Sequence, residues 1–173
     1  EFKSEFASLT HSTYQTFSGN LLTLLYKYTS FIPSNITHSP DISLYDHIKT
    51  TTALAICLYD LMCSGEKPKD RFLLIGADLS GIQSYIYQIV SKHAGKNLKG
   101  RSFYIRVLSD AVVRYLMKRL GLFQANIIYN SGGGFYLLAP NTTDIKHKLK
   151  TAIEEIEKRI FTTHGTSLYV AID

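Results

Sequence analysis

The sequence predicts an α+β fold, in which an antiparallel sheet carries helices on one face and a helical segment precedes it. Three observations carry this. Apolar residues in the first 65 positions recur at helical spacing. The charged stretch GEKPKD then breaks the pattern and is followed at once by FLLIGA, a short unbroken apolar run. Two further apolar runs, ANIIYN and FYLLAP, flank the glycines of SGGG and lie between two long helical patterns.

Leu21, Leu22, Leu24, Leu25 and Tyr28 form one helical stripe and Thr52 to Met62 a second apolar segment, with the turn-rich FIPSNITHSPDIS between them. This divides the chain into a helical segment (1–65), a linker (66–71) and a sheet domain (72–173). FLLIGA, from Phe72 to Ala77, reads as a strand covered on both faces, with Asp78 at its exit. A helix from Ile82 to Val90, a polar loop HAGKNLKG and a long helix from Ser102 to Leu120 follow. In the long helix Phe103, Tyr104, Val107, Leu108, Ala111, Tyr115 and Leu116 mark the core stripe, and Arg106, Asp110, Arg114 and Lys118 the opposite one. Gly121 ends that helix. ANIIYN, SGGG and FYLLAP form a hairpin whose glycines supply the positive φ of a tight turn. A helix from Thr143 to Phe161 buries Ile145, Leu149, Ile153, Ile156 and Ile160, and SLYVAID closes the chain as a strand. The order β, α, α, β, β, α, β is the split β-α-β arrangement of a ferredoxin-like sheet with one extra helix.

A chain of 173 residues, 45% hydrophobic and 19% charged, has the composition of a folded globular protein and excludes a disordered or disulfide-dominated one. No apolar run approaches the roughly 20 residues that span a bilayer, so no membrane association is expected. The first residues, EFKSEFASLT, lack a basic n-region and an initiating Met, which reads as a piece of something longer without a secretory signal. Cys57 and Cys63, six positions apart in one apolar helix, match neither a metal pair nor a disulfide framework, and a reducing cytoplasm is the expected compartment. The sequons at Asn35 and Asn141 are then chance matches. Net charge is +5, and the window from Lys92 to Arg119 holds eight bases against one acid, Asp110. That basic face points to phosphates, carried by a nucleotide or a nucleic acid, or is simply a solvated helix surface.

In a ferredoxin-like sheet the first strand lies beside the hairpin, so the end of FLLIGAD and the tip of NSGGGF are expected side by side. Polymerases and nucleotidyl cyclases built on such a palm place one carboxylate on that strand and others on the hairpin, because two divalent ions must be held together over a triphosphate. Here the tip offers Ser131, Gly132, Gly133, Gly134 and Phe135, and only Asp78 remains of the carboxylates. The glycine turn, with Ser80 and Gly81 opening a helix beside it, is suited to cradling phosphates without chemistry. Asp78 and Ser80 read equally well as a helix cap, and the glycines as a plain tight hairpin.

ADLSGIQSYIYQI, GKNLKGRSFYIRVLSDAVVRYL and IIYNSGGGFYLLAPN, in that order and spacing, resemble the first palm domain of the large subunit of type III CRISPR interference complexes, particularly the Csm (III-A) type. YTSFIPSNITHSPDISLYDHIKTTTALAICLY is similar to the end of that subunit's N-terminal HD domain and its connection to the palm. The resemblance implies a GGDEF/cyclase-like ferredoxin-like palm that lacks GGDD and helps bind ATP against a second palm of the same protein. That second palm makes cyclic oligoadenylate when target RNA is bound. The residues it assigns to nucleotide binding are Asp78, Ser80, Gly81, Ser131, Gly132, Gly133 and Gly134, with Gly134 and Phe135 where the two carboxylates would stand. Asp78 is the one palm metal ligand left, and Mg or Mn belongs to the full-length protein. His47, beside Asp46 in SLYDHIK, is a metal ligand only as a remnant of the HD site, since a lone Asp-His pair also reads as a helix cap with a surface histidine.

Implied partners are other subunits of a CRISPR ribonucleoprotein and, indirectly, crRNA and target RNA. The fragment itself is expected to be non-catalytic, while the parent is an ATP nucleotidyltransferase and HD nuclease in antiviral defence. Two alternatives stand beside this reading. One is a free-standing nucleotidyl cyclase, against which the bare hairpin argues; the other is a ferredoxin-like module binding RNA or protein through Arg101 to Arg119.

Overall fold

The computed structural model describes residues 1–9, 13–37, 40–87 and 94–173. His11, His38, Lys92, His93 and the 88–90 end of the expected helix lie outside them. Three helices open the chain: α1 (Phe2–Ala7), α2 (Tyr14–Thr29) and α3 (Leu44–Ser64). The sheet domain follows as β1 (Phe72–Ser80), α4 (Ile82–Tyr87), α5 (Ala94–Leu120), a 3₁₀ turn (Gln124–Asn126), β2 (Ile127–Ser131), β3 (Gly134–Pro140), α6 (Thr143–His164) and β4 (Tyr169–Ile172). The strands are ordered β2-β3-β1-β4, and every pairing is antiparallel. This is the expected α+β, ferredoxin-like arrangement.

Helices α5 and α6 cover one face. Period-two alternation sends Ile75 and Leu79 of β1, Phe135, Leu137 and Ala139 of β3, and Val170 of β4 into a core shared with Val113, Leu116, Ile156 and Ile160. The buried stripe of α5 is Ile105, Ser109, Val112, Val113, Leu116 and Leu120; of the stripe read from the sequence Leu116 is in it and Leu108 and Tyr115 pack at its edge, so the face is rotated rather than replaced. Phe103 and Val107 face solvent at 70% and 46% exposure. Apolar residues populate both sides of this helix, so spacing alone does not choose between them, and contact with α6 and the sheet does.

Three further expectations are revised. Residues 94–100 of HAGKNLKG are helical and not a loop, because α5 already begins at Ala94. Arg101 anchors this early part by donating to the Tyr85 carbonyl and placing its guanidinium 5.1 Å from the Tyr85 ring centroid, so tertiary contact outweighs the helix cost of Gly95 and Gly100. β1 is central, as its apolar run requires, but its second face is largely open, and Leu74 is 58% exposed. β1 also runs two residues past Asp78, which therefore lies within the strand and not at its exit. On that second face, α2 and α3 cover one corner: Leu22, Ala53 and Ala125 pack against Leu138 of β3.

A buried polar knot holds that corner. Asn126 has no solvent exposure; its Nδ2 donates to the Leu138 carbonyl at 2.8 Å and to Cys57 Sγ at 3.6 Å, and its Oδ1 accepts from Phe123 N–H at 3.1 Å. Burial, and then the Asp60 carboxylate, push the Cys57 thiol up to about 11, so it stays protonated and unreactive. Asn126→Ala strands the Phe123 amide and leaves the Leu138 carbonyl with only the weak Cys57 thiol donor, 3.8 Å away. It is expected to lower stability by about 2–3 kcal/mol, read as a drop in urea midpoint at constant slope; a wild-type midpoint overturns this.

The stretch between α3 and β1 is strapped down. The Glu66 carboxylate accepts from Thr143 N–H at 3.0 Å and from Thr143 Oγ1 at 3.0 Å, which caps the first turn of α6 and suits its positive end. Asn141 adds a bond from its Nδ2 to the Asp70 carbonyl, at 2.6 Å, and one from its N–H to the Arg71 carbonyl, at 3.1 Å.

Candidate nucleotide site on the open sheet face

The register of β1 against β3 places Asp78 directly opposite Gly134, and Leu79 N–H donates to the Gly133 carbonyl at 3.1 Å. The strand and the hairpin tip therefore meet as the sequence implies. The turn is two residues long, Gly132 and Gly133, both at positive φ (66° and 97°), as the hairpin turn that matches strand twist demands. Its two glycines differ in role. Gly132 is exposed, a Cβ there would meet nothing, and its amide donates to no described residue. Gly133 is buried, and a Cβ there would stand 2.6 Å from Ile82 Cδ1.

Gly134 shares the face of Asp78, and its missing Cβ would sit 3.8 Å from Asp78 Oδ1. Phe135 points the other way and is 1% exposed. Of the two hairpin positions expected to stand where carboxylates would be, only 134 looks onto the site. Ser80 Oγ lies 3.5 Å from Asp78 Oδ2, the outer limit of a hydrogen bond. Gly81 turns the chain into α4 at φ 87°, with the Ser167 carbonyl oxygen filling the space a side chain would need. Ser131 ends β2 opposite Gly134. These seven residues thus gather at one end of the sheet.

His47 is not among them. It lies exposed on the first turn of α3, where the N-cap Ser43 Oγ accepts from Asp46 N–H at 3.0 Å and donates to Asp46 Oδ2 at 2.7 Å. No group of three His, Cys, Asp or Glu side chains able to hold a metal occurs among the described residues.

Beside Asp78 the open face forms a shallow basin of about 520 Å³, floored by Gly76 and Ala171 and walled by Tyr136, Leu74 and Asp173. The Tyr136 ring lies over Gly76, where a Cβ would come within 3.1 Å of Cε1. Asp173 pairs with Gly76 through two backbone bonds of 2.7 and 2.9 Å, while Ala171 pairs with Asp78. Asp78 and Asp173 are therefore diagonal neighbours on one face, their Cα atoms about 7–8 Å apart. Sequence reading did not assign Tyr136 and Asp173 to the site; counting by twos from Gly134 along β3 finds Tyr136, and counting by twos from Ala171, the β4 partner of Asp78, finds Asp173.

The arrangement can present a hydrogen-bonding turn and a carboxylate to a ligand lying on the sheet. It does not fit a two-ion centre, because two diagonal carboxylates leave most of the oxygen ligands of two divalent ions unsupplied.

The family model described as Csm1 subunit domain B matches residues 71–173. The chain belongs to that family. It is 36% identical over 163 residues to the CRISPR system single-strand-specific deoxyribonuclease Cas10/Csm1 (subtype III-A) of Thermococcus onnurineus, covering 90% of this chain and 21% of that protein. The chain therefore spans about a fifth of the length of this curated Csm1 relative. A Csm1-Csm4 cassette in complex with pppApApA superposes with a TM-score of 0.86 at 33% identity, over 99% of this chain and 24% of that one. A Csm1-Csm4 cassette in complex with AMPPNP superposes with a TM-score of 0.85 at 34% identity, again over 99% and 24%. The Csm1 likeness thus extends through the helical segment as well as the sheet. No helix among the described residues is long and apolar enough to cross a membrane.

Proposed function

We propose that residues 72–173 form the nucleotide-binding, non-catalytic palm of a type III-A CRISPR large subunit. Residues 66–71 link this palm to a helical segment, 1–65, that ends the parent's HD domain. In this reading the palm holds ATP for cyclic oligoadenylate synthesis completed by a second palm of the same protein, in a cytoplasmic complex with other subunits and, through them, crRNA and target RNA. The observation that carries it is the pairing of Asp78 with Gly134: the hairpin keeps the glycine turn of a nucleotidyl cyclase but presents no carboxylate to the strand beside it. Nucleotide complexes of similar Csm1 proteins support the ligand class.

The residues divide the work by position. The exposed Gly132 amide and the Ser80–Gly81 turn face the phosphates, Ser131 closes the tip, and Gly133 and Gly134 keep the strand and hairpin close enough to share one ligand. The basin beside Asp78, with the Tyr136 ring at its edge, receives the nucleoside. Mg or Mn, bound in the full-length protein, would neutralise the triphosphate, and among the described residues Asp78, beside Gly134, is the carboxylate at the tip that could touch such an ion.

Calorimetric titration with ATP tests this. Wild-type chain is expected to bind ATP equally with and without EDTA. Gly134→Asp, which adds a carboxylate on the face of Asp78 without a steric conflict, is expected to weaken binding at least tenfold in EDTA and to recover it with Mg²⁺. Wild-type binding that vanishes on chelation, or a Gly134→Asp protein indistinguishable from wild type, overturns the reading.

A further inference from the structure

The basic stripe of α5 is not absorbed by the site on the open face. Arg106 is engaged by Asp110 at 3.5 Å, and Asp110 also accepts from Asn130 Nδ2 at 2.9 Å. Arg119 is held by Glu155 at 3.1 Å, and Arg101 by the Tyr85 carbonyl. Lys96, Lys99, Arg114 and Lys118 are exposed, with no ion pair or hydrogen bond to any described residue, and of these four Arg114 and Lys118 line a groove. The groove, of about 580 Å³, lies where α2, α5 and the β2 edge of the sheet meet.

The groove carries more than charge. Gln15 and Ser18 of α2 line it together with Gln124, Asn130 and Asp110, the last a carboxylate already held by Arg106 and Asn130. Phe123 closes one end, and Tyr14, 75% exposed, stands edge-on against it with ring centroids 5.6 Å apart. Arg114 and Lys118 are one helical turn apart, about 6 Å along the axis, a separation that successive phosphates of an extended strand span. The Gln15 and Gln124 amides and the Ser18 hydroxyl match sugar and base edges, and an exposed tyrosine beside Phe123 offers a stacking surface.

We propose that this groove binds a single-stranded nucleic acid, with Arg114 and Lys118 on neighbouring phosphates and a base stacked on Tyr14. A phosphodiester strand fits better than an acidic peptide, because the aromatic end and the amide wall have no use for carboxylates. The groove lies at the β2 edge and shares no residue with the Asp78 site, so the proposal stands independently of the nucleotide reading.

The test is fluorescence anisotropy of the 173-residue chain with labelled oligouridine and oligodeoxythymidine of about 12 nucleotides. Arg114→Gln/Lys118→Gln is expected to raise Kd about tenfold and to reduce the slope of log Kd against log salt by about 1.4, two phosphate contacts at about 0.7 each. Lys146→Gln/Lys150→Gln, which removes equal charge from α6, is expected to leave both unchanged. Tighter binding of oligouridine identifies RNA as the source, and equal binding of the two identifies a readout of the backbone alone. The proposal falls if both double variants lose affinity equally, if the salt slope is unmoved, if saturating ATP displaces the strand, or if oligoglutamate binds the groove while neither oligonucleotide does.

Discussion

Gly81→Ala is expected to cost about 3 kcal/mol or more, and for a domain of this size to lower Tm by about 10 °C. Two effects add. Any L side chain at φ 87° occupies a sterically disfavoured region, worth about 1–2 kcal/mol. The new Cβ would also press into the Ser167 carbonyl oxygen, and a backbone group leading into β4 has no rotamer by which to withdraw. Because β4 pairs with β1 from Ala77 to Ser80, the strain reaches Asp78 directly. A thermal melt within 2 °C of wild type, given the same scale of about 2–4 °C per kcal/mol, would show that the corner relaxes freely. Gly132→Ala is the internal comparison: it shares the positive φ but meets open space, so only the backbone part of the cost remains.

Phe135→Asp is expected to abolish folding at 37 °C. Removing a fully buried phenylalanine costs about 3–5 kcal/mol, and a carboxylate left unpaired in its place adds several more, which approaches the whole stability of an ordinary domain. Gly134→Asp, one residue earlier, is expected to fold like wild type, since its side chain meets only ordinary contacts near the Ala77 carbonyl and Asp78. Far-ultraviolet circular dichroism of the two variants decides the point. A folded Phe135→Asp protein would mean that the hairpin register differs from the one described. Rebuilding an acidic pair on this hairpin by simple replacement therefore requires a register shift as well as two carboxylates.

The strand-hairpin junction was legible in the sequence because its signals are local. FLLIGAD is short and apolar, and two glycines between alternating runs leave few geometries for a turn. The rotation of the core stripe on α5 was not legible. Phe103 and Ile105 are both apolar, and only α6 and the sheet, distant in sequence, decide which is buried. The start of α5 was hidden in the same way, by an anchor at Tyr85 that no window around Gly95 contains. Tyr136 and Asp173 were within reach, since both follow from counting by twos once the strands are aligned. The Glu66 cap was beyond reach, because it joins positions 77 residues apart that no periodicity links.

That cap makes the peptide between α3 and β1 a mechanical element. One end is fixed to α3, and its carboxylate grips the first turn of α6, so a tilt of the N-terminal helices pulls on the rear layer of the sheet domain. α6 ends at His164, three residues before the Ser167 carbonyl that closes over Gly81. A displacement entering at Glu66 can thus travel the length of one rigid helix and emerge beside the turn that carries Ser80, which gives the helical segment a lever on the geometry of the far end of β1.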